Sequence, residues 1–433
     1  MSHRFLTTLS LAALTGCATL SRTPDTTILS MNGIAESYVQ LALALGTRDA
    51  DYVDAYYGPP AWKAAADSST LAPVQIRNRA LDLRSALASI DTTTLDAMSR
   101  LRREYLDKQL RAMIGRVEYL EGKRLPFDDE SRLMYDAVAP TNSEAHFRDV
   151  LARLDSALPG TGPVPRRYQA FRERFVIPRQ KLDTVFRTAI GACRSRTMSH
   201  IPLPPGESFT VEYVNDKPWS AYNWYKGNYH SVIQVNTDLP IFIDRAIDLA
   251  CHEGYPGHHV YNALLEQKLV RDRGWVEFSI YPLFSPQSLI AEGSANYGIS
   301  VAFPGKERAE FEKARLFPLA GLDPSTADEY YRIFDLATEL GYAGNEAARR
   351  YLNGDIDATQ ASDWLTRYAL YEPARAQQRV RFIDKYRSYV INYNLGQDLV
   401  RRYVEARSSG DAQRRWDVFA ELLSSPRLPS GLR

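Results

Sequence analysis

The sequence predicts a mostly α-helical protein with one small antiparallel β-ribbon. Three observations lead there. Apolar residues recur every three or four positions through most of the 433-residue chain. One tract, 201–240, replaces that period with Pro, Gly, aromatic and β-branched residues. The helical period then returns and lasts almost to the C-terminus.

The elements follow in chain order. In "MSHRFLTTLSLAALTGCATLSR" a basic residue, Arg4, precedes an apolar run from Phe5 to Leu14. That run is too short to anchor in a bilayer and fits the h-region of a secretory signal. Leu14-Thr15-Gly16-Cys17 resembles a bacterial lipoprotein cleavage box. The resemblance implies a signal peptide over 1–16, an acylated Cys17 as mature N-terminus, and attachment to a membrane only through that lipid. Ala18 in place of Asp implies an outer-membrane destination in a Gram-negative source, with the protein facing the periplasm. Residues 17–30 are polar and aperiodic and read as a flexible tether, which leaves 31–433 as a single domain.

Within that domain, "VQIRNRALDLRSALASI", "TLDAMSRLRREYLDKQLRAMIGRVEYLEG" and "RRYQAFRERFVIPRQKLDTVFRTAIGACRSR" carry helical stripes. "SFTVEYV" and "HSVIQVN" alternate as strands do, and Gly227-Asn228 between them supplies turn chemistry. "DEYYRIFDLATELGYAGNEAARRYLNG" and "EPARAQQRVRFIDKYRSYVINYNLGQDLVRRYVEAR" are helical again. With 53 basic against 52 acidic side chains there is no bias toward a polyanion, so nucleic acid is excluded as a partner class. Apart from Cys17 only Cys193 and Cys251 remain. A bridge between them is compatible with an oxidising compartment, but Cys251 lies in an apolar run directly before His252 and reads as a buried thiol.

The chemistry concentrates in "IDLACHEGYPGHHVYNALLEQ", which holds His252, Glu253, His258 and His259 in a chain with seven histidines. A hydrolytic zinc site needs about three N or O ligands, an open position, and a carboxylate to take the proton of the attacking water. The usual helix places its second His four residues after the first, where this chain has Pro256. Pro256 cannot donate to the His252 carbonyl, and Gly254 and Gly257 free the backbone, so a bulge is expected. On an unbroken helix His259 returns to the His252 face; through a bulge His258 does so instead. Spacing alone leaves both open.

"HEGYPGHH", with "AEGSANYG" at 291–298 and "YNLGQDLV" at 393–400, resembles the bacterial domain-of-unknown-function 885 family over nearly the whole mature chain. That family is grouped with the gluzincin metallopeptidases, beside thimet-type oligopeptidases, Taq-type carboxypeptidases and angiotensin-converting enzymes. The resemblance implies two helical lobes around a deep cleft with the ribbon at its wall, and zinc held by His252, His258 and Glu292. In those relatives the second ligand follows a glycine, as His258 follows Gly257, which favours it over His259. Ser294 stands where the family's Glu-Gly-Trp motif has Trp. Glu253 is the implied general base, and Tyr393 on a C-terminal helix the implied hydroxyl donor to the oxyanion. Tyr389, one turn earlier, is a second candidate for that role, and His230 and Tyr229 are candidates to line the cleft. The expected activity is hydrolysis of short peptides by metal-activated water. Alternatives are an amidase acting on cell-wall or acylated amino-acid substrates, and a non-catalytic lipoprotein that binds metal or a partner.

Overall fold

The computed structural model describes residues 30–432 except Pro218. The signal peptide and almost all of the tether, Cys17 included, lie outside the described residues. The protein is mostly α-helical with a small sheet. Helix starts follow local chemistry: Asp96 Oδ1 accepts from Ser99 N at 2.7 Å, and Asp411 Oδ1 from Arg414 N at 2.6 Å, each satisfying an amide that has no partner inside the helix.

Two long helical stripes are divided. The stripe over 166–196 breaks into Val164–Glu173 and Leu182–Met198, because Pro178 cannot continue a helix and restricts the residue before it. The stripe over 372–407 breaks into Pro373–Tyr386 and Ile391–Ser408 at Arg387, whose φ of 51° a continuous α-helix does not tolerate.

Strands β1 (Val53–Tyr56) and β5 (Ile280–Pro282) form an antiparallel pair, while β2 (Ser208–Val214), β4 (His230–Asn236) and β3 (Ala221–Gly227) form a three-stranded sheet in that order. The antiparallel ribbon is β3 with β4, joined by a turn in which Gly227, Asn228 and Tyr229 all have positive φ. Ser208–Val214 and His230–Asn236 do pair, but in parallel, since the intervening Ala221–Gly227 takes the hairpin position. β4 is central and half-buried by alternation, and β2 is the exposed edge.

One extended apolar core runs from Ile34 to Leu432, with a small satellite around Ala347, Ala361, Leu365, Ala376 and Val380. At its centre the Pro286–Ala302 helix crosses Ile391–Ser408 at backbone contact: a Cβ on Gly293 would stand 2.3 Å from the Gly396 carbonyl carbon. Only glycine permits that approach. The two motifs "AEGSANYG" and "YNLGQDLV" therefore meet at these glycines, which brings Tyr389 and Tyr393 to the helix of Glu292. Cys193 and Cys251 are joined by a disulfide, Cα–Cα 5.6 Å, so the reading of Cys251 as a free buried thiol is corrected. Burial and bridging are not alternatives here: both cysteines are buried, and the bond ties the Leu182–Met198 helix to the residue before His252.

Candidate metal centre

The Asp244–Leu249 helix widens over Ala250–Gly254 into a π-helical turn, with Tyr255 N donating to Ala250 O at 3.2 Å. Gly257 N then reaches back to Cys251 O at 2.9 Å, and a new helix, His258–Leu265, begins. A Cβ on Gly257 would lie 1.9 Å from His252 O, so the chain can fold back on itself there only because the residue is glycine. This turn absorbs the two extra residues.

As a result His258, not His259, faces His252. Their Nε2 atoms are 3.1 Å apart, and Glu292 Oε2 stands 3.4 Å from the first and 3.9 Å from the second. One ligand atom from each lies within 4.8 Å of the others. Ligands about 2.0–2.1 Å from a tetrahedral zinc ion are about 3.3 Å from one another, close to these separations. Glu292 Oε2 is buried without a hydrogen-bond partner, a vacancy that a cation would fill.

The surroundings orient the three side chains and set their charges. Asn296 Nδ2 donates to Tyr393 O at 3.0 Å, which orients its amide so that Oδ1 accepts from His252 Nδ1 at 3.0 Å. The His252 proton is thereby kept on Nδ1, leaving the Nε2 lone pair free. Tyr389 donates to Glu292 Oε1 at 2.9 Å and holds the other carboxylate oxygen. Burial pushes His258 down to about 4, and the neighbouring His252 adds to that shift, so its imidazole is neutral at pH 7. Burial also lowers His252, but the neighbouring carboxylates of Glu292 and Glu253 outweigh it and raise it overall. Glu292 is disfavoured by burial yet held below its ordinary range by His252, His258 and Tyr389. The donor set suits a borderline divalent ion.

Glu253, 6% exposed, lies beside the group, and burial raises its carboxyl to about 7. Its backbone carbonyl accepts from Asn223 Nδ2 of β3 at 2.7 Å, so the sheet braces the π-helical turn. Tyr393 packs edge-on to Tyr389 at 5.8 Å. Among the described residues its hydroxyl has no hydrogen-bond partner, and burial, followed by the charge of Glu292, raises its pKa and keeps it a donor.

Two of the candidate histidines lie elsewhere. His259 is fully buried between Ser231 Oγ (2.8 Å) and Glu207 Oε2 (2.9 Å), with both ring nitrogens committed. This Ser-His-Glu chain has the connectivity of a nucleophilic relay, but Ser231 is itself 0% exposed, so the chain acts as a buried brace. His230, at the start of the central strand β4, meets Ser208 Oγ of the edge strand β2 at 3.2 Å and is not among the three converging side chains. Tyr229 lies in the hairpin turn under the Arg271 guanidinium, 4.6 Å away.

Sequence reasoning missed Asn296 and Asp54. Asn296 is legible in hindsight, one helical turn after Glu292. Asp54, on β1, accepts from the Tyr222 hydroxyl of β3, and no local pattern marks it. Burial first, then the charges of Glu292 and Glu253, raise its carboxyl to about 7. Such a group stabilises the fold while protonated. Its contribution is full below the ordinary pKa of 3.8 and is lost as pH rises through about 7. We expect metal-free Asp54→Asn protein to gain melting temperature over the parent progressively between about pH 4 and pH 8. A difference in Tm that stays flat over that range would refute the assignment.

Neither a protein-family model nor a functionally curated protein matches the sequence. The fold is similar to that of solved structures. One, a Colwellia psychrerythraea protein provisionally named a lipoprotein, aligns over 94% of this chain and 76% of its own at 15% identity with a TM-score of 0.55. The M32 carboxypeptidase of Deinococcus radiodurans R1 aligns over 89% and 88% at 14% identity and TM-score 0.47. A Shewanella oneidensis protein of unknown function, also provisionally named a lipoprotein, aligns over 91% and 88% at 12% identity and TM-score 0.46. The first similarity shows a shared fold and nothing finer. Among the described residues no helix is long and apolar enough to cross a membrane.

Proposed function

We propose that the protein is a zinc-dependent hydrolase of short peptides. The carrying observation is that His252, His258 and Glu292 converge at ligand-like spacing with Glu253 beside them. His2Glu ligation in a hydrolase favours zinc, which supplies Lewis acidity toward the scissile carbonyl and the attacking water. Peptides as the substrate class come from the resemblance of "HEGYPGHH" to the gluzincins.

In this reading Glu253 takes the proton of the attacking water and returns it to the leaving amine. Tyr393 donates its free hydroxyl to the carbonyl oxygen as that oxygen becomes negative, while Tyr389 and Asn296 hold Glu292 and His252 in place. The Leu-Thr-Gly-Cys box supports a lipoprotein anchored through Cys17 in the outer membrane and facing the periplasm. Labelling with a radioactive fatty acid that persists in Cys17→Ser would rule out that anchor.

Measured metal content together with turnover of a mixed peptide library tests the function. Stoichiometric zinc with cleavage abolished by chelation is expected. A protein that binds no divalent ion would sink the proposal. Tyr393→Phe removes one hydroxyl and keeps the packed ring. A donor that acts mainly in the transition state affects rate more than binding, so kcat is expected to fall by roughly ten- to a thousandfold with KM little changed. If Tyr389→Phe alone slows turnover, the oxyanion role moves to Tyr389.

A further inference from the structure

We propose that Glu207 is a positioning residue for the metal centre, tying together the two ends of the turn that delivers His258; this role rests on the metal-binding reading above. The three converging side chains are not held alike. Asn296 orients His252 and Tyr389 orients Glu292, each by a direct hydrogen bond. Among the described residues the His258 ring meets only His252 and Glu292 at polar distance, so no outer partner fixes it. A ligating imidazole usually donates its second N–H to such a partner. Without one, the ring stands where its backbone puts it. That backbone passes through Gly254 and Gly257, the residue type with the widest choice of conformations. The segment from 254 to 258 therefore needs an anchor of its own.

Glu207, the residue before β2, supplies it. Its buried carboxylate accepts from Tyr255 Oη at 2.6 Å and His259 Nε2 at 2.9 Å, both on Oε2, and from Arg194 Nη2 at 2.6 Å on Oε1. Tyr255 ends the π-helical turn, and His259 directly follows His258. One oxygen thus fixes both flanks of Pro256–His258. Packing reinforces the tie: the Phe209 ring, two residues on, lies 5.1 Å from that of Tyr255 and 5.3 Å from that of His259. The same ring covers Gly254, where a Cβ would stand 3.1 Å from it. Arg194 comes from the Leu182–Met198 helix, whose Cys193 is bonded to Cys251, so that helix grips the turn just before His252 and again through Glu207. Burial disfavours charge on Glu207, but hydrogen bonds from His259, Tyr255 and Arg194 outweigh it and hold the carboxyl below its ordinary range. It is therefore an ionised acceptor at neutral pH, with an oxygen for each side of the tie. A carboxylate that only stabilised the fold would leave the metal affinity of the folded protein untouched.

Metal affinity measured apart from stability tests this. Glu207→Gln keeps the side-chain shape but offers one acceptor oxygen in place of two, so it cannot serve Arg194 and the Tyr255–His259 pair at once. Tyr255→Phe cuts a single tie, keeps the packed ring, and decides the matter should Glu207→Gln not fold. Glu277→Gln is the control, since it damages an equally buried carboxylate whose donors come from Arg102. Zinc dissociation constants are read on the full-length proteins by chelator competition, well below each Tm, with the d–d absorption of bound Co2+ reporting ligand geometry. Losing the outer support of a ligand typically weakens a metal site by about ten- to a hundredfold, and a weakening in that range is expected for Glu207→Gln, with a smaller one for Tyr255→Phe. The intense tetrahedral Co2+ band should fade in both. Glu277→Gln should lower Tm at parental zinc affinity. Parental affinity in Glu207→Gln and Tyr255→Phe, or equal weakening by Glu277→Gln, overturns the positioning role while leaving the proposed function intact. A parent protein that binds no divalent ion overturns both. Affinities that fall in the expected order in a protein that cleaves no peptide would instead sink the proposed function and leave the role of Glu207 standing.

Discussion

Glu253→Gln is expected to keep stoichiometric metal and to lose two to four powers of ten in turnover, the usual cost of removing a general base. The side chain is not among the three that converge, so metal retention is separable from activity. The change is nearly isosteric and spares the Asn223 contact, which is made to the Glu253 backbone carbonyl rather than to its carboxylate. Burial already raises this carboxyl to about 7, so a neutral amide carries less desolvation cost than the ionised acid, and the variant is not expected to unfold. Metal analysis and kcat on one preparation decide the matter. Near-parental turnover by a metal-replete variant would remove Glu253 from the mechanism.

What was legible beforehand follows physical range. The helices of 73–88 and 97–120 are readable because their apolar stripes are local. The divisions of the 166–196 and 372–407 stripes are harder to read: Pro178 stands in the first, but the positive φ of Arg387 has no signature in its neighbours. Strand β3 was hidden because "AYNWYKG" mixes aromatic and polar residues without strict alternation, and missing it hid the parallel pairing of β2 with β4. At the centre, Pro256 and Gly257 announced a break in the helix, yet only the folded turn shows which histidine it delivers. Asp54 arrives from a segment remote in sequence, where no motif or period could have linked it to His252. Its meaning lies in the neighbouring charges of Glu292 and Glu253, which meet it only in three dimensions. The disulfide is similar: two cysteines set the possibility, and adjacency of the Leu182–Met198 helix to the π-helical turn realises it.

The sharpest contrast is expected between His258→Ala and His259→Ala, two adjacent residues of identical chemistry. His258 contributes the second nitrogen of the group, so its removal leaves one histidine and one carboxylate, too few for a stable zinc site. Stoichiometric metal and turnover should both vanish. The fold should persist, because the ring makes no hydrogen bond beyond the His252 contact that a metal would replace. His259→Ala does the opposite. It strips Ser231 Oγ and Glu207 Oε2 of a buried partner and opens a cavity at a fully buried position, although Tyr255 and Arg194 still hold Glu207. Unsatisfied buried polar groups cost about 1–3 kcal/mol each, so a drop in Tm is expected. Below its lowered Tm that protein should still bind one metal ion, since His252, His258 and Glu292 are untouched. Metal titration and melting of the two variants side by side separate the roles. If His259→Ala lost the metal while His258→Ala kept it, the π-helical turn would not set the ligand, and the seven-residue spacing of an unbroken helix would have to be restored.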